Sequence, residues 1–538
     1  MNGMVVAPQP VAAEEGVLAL RRGGNAVDAA VTAALVQGVV DPLNCGIGGL
    51  GGMQIYRAES GEGIFVDFFS SVGAQATPDL WVDQILGPAV DGVGFILRGD
   101  LNEIGYQSIG TPATVRALSG ALSRYGTWSW AEALAPAIGW ARKGYPIPAE
   151  LARDWRVPYA EGRPDARARF NCTPDAARIY TRGGELLEEG DLLVNEDLAR
   201  SLEELAKEGP ETFYRGGMAA RIAADLEAQG ALVTAADLAT YEADFTTPLR
   251  GSYRGYTVHA APPPFGGITL LQILKILETY DLGAMELNSA AYIRVVSQAI
   301  KAGFADRNRL VGDPAFVDVP VQELLSQEHA RQWRERIEAG ESIDAGFDRT
   351  RKEGGTTQMS VLDAAGNCVS LTHTCGLCSG VVTPGLGFLY NNYMVGFDPL
   401  PGGPNSIAPG KKRVTGSAPT LLFKEGKPFM VLGAPGGTRI VSAVLQTILN
   451  VVDHGLSALE AVAAPRIDCQ GGAVYIEGKV PRWVCEELEK SGLEIARDTA
   501  SYGPYPARAA RVHAIVAAAD RLQGGADPRG YGVALAAG

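Results

Sequence analysis

The sequence predicts an α+β protein. Helical periodicity interrupted by glycine turns dominates residues 1–324, a polar stretch occupies 325–353, and strand-like alternation takes over from Thr356. A chain of 538 residues is long enough for two to four domains or one large layered one. With 46% apolar and 20% charged residues it has material for a buried core and lacks the polar excess of a disordered protein. No internal repeat and no low-complexity segment interrupts it.

The elements follow in order. Val11 to Arg22 reads as a helix stopped by Gly23-Gly24, and Asn25 with Asp28 three residues on caps a second helix through Val40. Gly46-Ile-Gly-Gly-Leu-Gly-Gly52 leads into a strand at Met53 to Tyr56. A phosphate-binding loop would join strand to helix, so these glycines read as tight turns and no nucleotide is expected. Further helices are predicted over Glu196 to Lys207, Met218 to Gln229, a short one after Thr234, and Ser289 to Arg307. Tyr256 to Ala261 reads as a strand ended by Pro262-Pro-Pro264. The charged stretch 325–353 has few apolar anchors and is expected to be an exposed, mobile tether. Beyond it, Thr356 to Leu362 and Cys368 to Cys375 flank Asp363-Ala-Ala-Gly-Asn367 as a hairpin. Strand segments are expected at Gly387 to Asn391, Thr420 to Phe423 and Phe429 to Leu432, and a last helix at Val441 to His454.

Composition excludes several functions. Forty-seven basic against 61 acidic residues leave a net charge of −14, which disfavours nucleic acid or an anionic membrane as partner. No run approaches a membrane span, and Met1-Asn2-Gly3-Met4 carries no basic segment before an apolar stretch, so a cytoplasmic location is expected. Seven cysteines, sparse and odd in number, fit unpaired thiols in a reducing compartment. Cys375-Gly-Leu-Cys378 has no second CxxC or nearby His pair, and none of the five histidines lies in HExxH, so no metal and no cofactor are expected.

The hairpin is where chemistry is expected. If it is symmetric about Ala365, Thr356 pairs with Thr374, placing two hydroxyls about 5 Å apart or less on one face. Thr372 shares that face. Threonine favours strands for its shape alone, but here a polar tether ends in Gly354-Gly355 and a Thr opens the strand region. Cleavage between Gly355 and Thr356 would give Thr356 a free α-amine, whose reference pKa of about 7.7–8.0 suits a general base for its own hydroxyl. No Gly-x-Ser-x-Gly elbow competes for the role.

In this setting the chain resembles the γ-glutamyltranspeptidase family of N-terminal-nucleophile (Ntn) hydrolases, from Met4 to about residue 480. The resemblance rests on Leu20-Arg-Arg-Gly-Gly-Asn-Ala-Val-Asp-Ala-Ala30, Gly46-Ile-Gly-Gly49, Phe304-Ala-Asp-Arg307 with Gly312-Asp-Pro314, Thr356-Thr-Gln-Met-Ser-Val-Leu-Asp363 and Gly433-Ala-Pro-Gly-Gly-Thr-Arg-Ile440, in this order. It implies an αββα sandwich made as a proenzyme, with 1–355 as the large chain and 356–538 as the small chain of one interwoven domain. The two processed chains would form a heterodimer, with further dimerisation open. It also implies that Thr374 hydrogen-bonds the nucleophile Thr356 and that the N–H groups of Gly436 and Gly437 form the oxyanion hole.

The resemblance fails at substrate recognition. Where the family's glutamyl enzymes hold the donor α-carboxylate with an Arg and a Ser-Ser pair, this chain has Phe69 and Thr415-Gly416. Where an acidic residue and neighbouring amides hold the α-amine, it has Tyr393 and Gly396, and Gly376 replaces an Asn. The segment Asp398 to Lys412 is shorter than the family's lid loop, which favours hydrolysis over transfer. Phe68, Phe69 and Tyr393 are expected to line an aromatic donor pocket, with Arg413 and Arg439 as candidate anchors for an acidic acyl group. The expected function is a self-processing amidohydrolase acting on a small-molecule amide other than a γ-glutamyl donor, in the manner of oxamate amidohydrolases or cephalosporin acylases. Glutathione hydrolase or γ-glutamyltransferase activity is the alternative within the class, and an inactive small-molecule-binding relative is the alternative outside it.

Overall fold

The computed structural model describes residues 3–88, 95–159, 162–346, 355–498, 510–518 and 521–538. Two antiparallel sheets stack between two helical layers. The strands of the first are β1 (Met4–Ala7), β2 (Leu50–Arg57), β3 (Glu62–Phe68) and β4 (Asp244–Thr246) from the region before Thr356, with three from the region after it. The second sheet likewise draws β5 (Leu249–Tyr253) and β6 (Tyr256–Ala260) from the earlier region. The later region supplies β7 (Thr357–Leu362), β8 (Cys368–Thr374), β9 (Thr420–Lys424), β10 (Lys427–Gly433), β11 (His513–Ala518), β12 (Arg521–Ala526) and β13 (Val533–Ala536). The strand orders are β4-β3-β2-β8-β7-β1-β13 and β5-β6-β9-β10-β11-β12. Each sheet therefore mixes strands from both sides of Thr356.

Alternation along the strands explains the layering. Met4, Val6, Tyr56, Leu362 and Cys368 point from the first sheet onto Leu421, Phe423, Val431 and Ile515 of the second, closing the inner layer. The opposite face of the first sheet is covered by α1 (Pro10–Arg21) and α2 (Ala26–Val40). α3 (Gly267–Leu277), α4 (Ala290–Leu310), α5 (Gln327–Glu338) and α6 (Arg439–Val452) cover the second. α2 begins in the expected capping box: Asn25 Oδ1 accepts from the N–H of Val27 and Asp28, and Asp28 accepts from the N–H of Asn25.

Three expectations are corrected. The stretch 325–353 is not a tether throughout. Its first part is α5, capped by Ser326, with Ala330 and Trp333 buried against the helical layer and Trp333 Nε1 donating to the buried Asp306 at 2.7 Å. Two apolar anchors at i and i+3 suffice to dock an otherwise charged helix. Residues 347–354, including Gly354, lie outside the described residues. Secondly, Gly387 to Asn391 forms no strand: Tyr390 makes a single bridge with Gly48, and the Asn391 side chain takes over the pairing, donating to Gly48 O at 2.9 Å and accepting from Gly110 N–H at 3.0 Å. Thirdly, the strand after the glycine run starts at Leu50. Gly51 and Gly52 lie inside it because the rings of Phe68 and Phe265 press on them; a Cβ on Gly52 would stand 2.6 Å from Phe265 Cε1.

Candidate active site

The hairpin has the symmetric register. Thr357 faces His373, Gln358 faces Thr372 and Leu362 faces Cys368. Asp363 sets this register at the turn. Its carboxylate accepts from the N–H of Ala365 and Asn367 and from Asn367 Nδ2, and also from the N–H of Ala26 at the start of α2, tying hairpin to helix. At the open end the register brings Thr356 and Thr374 together, Oγ to Oγ at 3.1 Å.

Between them sits the Gly355 carbonyl. Thr356 Oγ–H reaches its oxygen at 2.6 Å and Thr374 Oγ–H at 2.7 Å. Gly376 N–H donates to Thr374 Oγ at 2.7 Å, so Thr374 has an acceptor role already filled and its one proton is available to the carbonyl. Gly355 is enclosed by Gly376 O, Leu377 and Asn44, and a Cβ there would fall 2.8 Å from Asn44 Oδ1, so only glycine fits before Thr356. Gly376 in turn is held at φ +69, and a Cβ there would strike Asn392 Oδ1, which accepts from Leu377 N–H at 3.0 Å. The Asn392 carboxamide thus occupies the space next to Gly376.

The neighbouring titratable groups are not bases. His373 is buried, its Nε2 lies 3.1 Å from Gly46 O and 3.2 Å from Thr114 Oγ, and burial lowers its pKa from 6.5 to about 4. It is a neutral strut between layers. Cys375 and Cys378 are buried thiols pushed up by burial, and among the described residues no His/Cys/Asp/Glu group could hold a metal ion. Among those residues no helix is long and apolar enough to cross a membrane.

Gly436 and Gly437 follow β10 and precede α6, at φ +136 and +61. Both conformations favour glycine, and a Cβ on Gly436 would also fall 2.5 Å from that of Ala510. Among the described residues neither amide donates to another group of the protein, so this pair of successive N–H groups is open to an anionic oxygen. The strand leading to the turn ends against the hairpin, with Gly433 in contact with the Gln358 side chain.

The remaining candidates divide. Phe69 and Tyr393 are almost wholly buried, in an edge-to-face series that runs from Tyr393 through Phe69 to Phe265, with ring centroids 5.5 and 5.1 Å apart. They form a floor and present little free surface, which corrects the expectation that they line the pocket directly. Arg413 lies on that floor, its guanidinium carbon 5.0 Å from the Phe69 ring centre and 5.3 Å from that of Tyr393. Arg439 is turned elsewhere, 3.7 Å from Asp468 and over the Tyr475 ring, so it is not a spare cation for substrate. Sequence reasoning singles out neither Phe265 nor Asn392: the first follows a proline run that reads only as a strand end, and the second adjoins a segment that reads as a strand. Phe265 joins the aromatic floor to the site by packing on Gly52, whose partner in β8 is Thr372. Thr415 and Gly416 close the other side: Thr415 N–H donates to Pro264 O at 3.0 Å and Gly416 abuts the backbone at Gly437.

Residues 12–537 match the family profile described as Gamma-glutamyltranspeptidase, which reaches past residue 480, the expected end of the resemblance. The chain is 37% identical to the Acylase ACY 1 proenzyme of Pseudomonas sp. (strain V22), over 92% of this chain and 88% of that protein. It is 36% identical to the Glutathione hydrolase proenzyme of Escherichia coli (strain K12), over 87% of this chain and 81% of that one. Among solved structures, the cephalosporin acylase from Bacillus halodurans superposes with a TM-score of 0.85 at 27% identity, covering 99% of this chain and 95% of that one.

Proposed function

This chain belongs to the gamma-glutamyltranspeptidase family, as a self-processing amidohydrolase with the αββα fold of the Ntn hydrolases, and on that premise we propose that it cleaves itself before Thr356 and then hydrolyses a small-molecule amide that is not a γ-glutamyl donor. In processing, Thr356 Oγ attacks the Gly355 carbonyl carbon while Thr374 polarises the oxygen. The Oγ–C bond forms, the C–N bond breaks and the hydroxyl proton passes to the departing amine. Water then hydrolyses the ester, leaving a Gly355 carboxylate and Thr356 with a free α-amine. In turnover that amine takes the Oγ proton as the oxygen attacks the substrate carbonyl. The Gly436 and Gly437 N–H groups hold the oxyanion, the amine product leaves with the proton, and water releases the acid.

The observation that carries the substrate reading is the charge of the donor pocket. The positions that the resemblance assigns to the glutamyl clamp, Phe69, Tyr393, Gly396, Thr415 and Gly416, include no acid to receive an α-ammonium. An ammonium that loses its hydration without a partner weakens transition-state binding. The relative named an acylase supports a non-glutamyl donor, while the one named a glutathione hydrolase keeps the glutamyl reading as the alternative. Water as acceptor is supported by the short segment Asp398 to Lys412, which is tied down by Asn405 on Gly396 O and Val414 N–H. Seven cysteines without a disulfide support the proposed cytoplasmic location.

The test is a comparison of kcat/KM for a γ-glutamyl anilide with that of the best amide lacking an α-amino acid head group. The glutamyl compound is expected to be about a hundredfold poorer, or worse. Equal rates would reinstate glutathione hydrolysis.

A further inference from the structure

The head of the donor pocket has reversed its charge. Tyr393 and Gly396 stand where the resemblance places the family's acidic residue and amides, and the space a side chain would fill at Gly396 is taken by Arg413: a Cβ on Gly396 would lie 2.6 Å from both Arg413 Cδ and Nη1. The backbone at Gly396 is not in the left-handed region, so room for the guanidinium is what glycine provides. We infer that Arg413 is the specificity residue of this site and that it recognises a carboxylate at the far end of an acyl chain that carries no α-ammonium. The inference rests on the amidohydrolase reading above and names its substrate class.

Arg413 is equipped for this and for little else. Its backbone N–H donates to Tyr393 Oη at 2.8 Å, but among the described residues the guanidinium makes one hydrogen bond, Nη1 to Val414 O at 3.3 Å. Nε is buried without a partner, and among the described residues no carboxylate lies within ion-pair range. The adjacent Lys412 shows the contrast, for Asp67 and Asp244 each hold its ammonium at 2.8 Å. A poorly solvated guanidinium without a counter-ion is costly, and burial lowers its pKa accordingly. An anionic ligand offsets that cost through the two-pronged contact that guanidinium geometry favours. The Phe69 and Tyr393 rings beside the guanidinium, 5.0 and 5.3 Å from its carbon, add cation–π contacts that use none of its N–H groups. Position completes the case. On one side the aromatic series leads through Phe265 to the strand beside Thr374, and on the other Val414 and Thr415 lead to Gly416 at the Gly437 turn. An acyl chain held between nucleophile and oxyanion turn therefore has Arg413 bordering its pocket.

Three matched 4-nitroanilides test this on the processed enzyme: butyryl, glutaryl and γ-glutamyl, which add first a terminal carboxylate and then an α-ammonium. Glutaryl is expected to exceed butyryl in kcat/KM by about ten- to hundredfold, the range of one charge-assisted contact, mainly through KM. In Arg413→Met the glutaryl-to-butyryl ratio should fall to near one, and Arg413→Lys should restore part of it. A wild-type ratio near one overturns the inference whether or not either variant folds, and leaves the non-glutamyl reading standing. A ratio that survives in Arg413→Met also overturns it. If γ-glutamyl equals glutaryl and both far exceed butyryl, carboxylate recognition is supported and the non-glutamyl reading fails.

Discussion

At the residue scale the proposed chemistry belongs to two threonine hydroxyls and one glycine carbonyl, which lie within 3.1 Å of one another. Thr356→Ala removes the oxygen placed to attack the Gly355 carbon, and is expected to leave a single uncut chain on a denaturing gel; a variant that still yields a small chain starting at residue 356 defeats the assignment. Thr374→Val keeps the shape and removes the donor to the carbonyl. It should slow processing, followed as the disappearance of the full-length chain, by roughly a hundredfold, the usual cost of losing one such donor. Wild-type processing in that variant would show that Gly376 N–H and the Thr356 hydroxyl act without it. The pairing of these residues is legible in the sequence, because side-chain period two and a symmetric turn leave one partner for Thr356. Asn392 and Gly376 are not legible as a unit: their contact joins residues sixteen apart through a backbone angle that sequence pattern does not encode.

The decisive element is the hairpin β7-β8. Its register depends on Asp363, one carboxylate serving four donors, one of them the first amide of α2. Asp363→Ala leaves those amides unsatisfied and is expected to cost about 2 kcal/mol of stability, read as a lowered denaturation midpoint, and to slow processing because the Thr356–Thr374 pairing loosens. An unchanged midpoint would mean that the turn is held by the flanking strands alone. At this scale capping boxes and alternation predict α2, α4, β7 and β8 closely. The misreadings share one cause. α5 reads as a tether because Ala330 and Trp333 become anchors only when α4 lies opposite, and Gly51-Gly52 read as a turn because the rings that require them come from residues 68 and 265.

For the whole molecule the interleaving of strands governs behaviour. β1 lies between β7 and β13, so strands from before Thr356 and from after it share one sheet. After processing the two chains should elute together in native conditions and separate only on unfolding; separation in buffer would contradict the topology. Acid should weaken the fold. Burial holds His259, His373 and His513 at pKa values near 4 instead of 6.5, so between those values the unfolded chain binds protons that the folded chain refuses. Their contribution is complete above about pH 6.5 and is lost as pH falls toward 4. Asp41, raised by burial to about 6, acts in the opposite sense, as do Asp67 and Asp468, and each offsets part of the imidazole effect. Melting temperature is therefore expected to drop steadily from about pH 7 to about pH 4.5, and a flat profile would refute this.

Local rules suffice for the hairpin, its paired threonines and the glycine before them, through period-two alternation and turn chemistry, whereas the proposed oxyanion role of Gly436 and Gly437 comes from the family resemblance. The same rules bring forward Phe69, Tyr393, Arg413 and Arg439 without ranking them. Packing chose among these four. It sank the two rings into a floor, committed Arg439 to Asp468 and set Arg413 into the space beside Gly396. The physical reason is that a side chain's charge is local information, whereas its counter-charge is not. Whether a guanidinium is spent on a partner or kept for a ligand depends on groups brought to it from elsewhere in the chain.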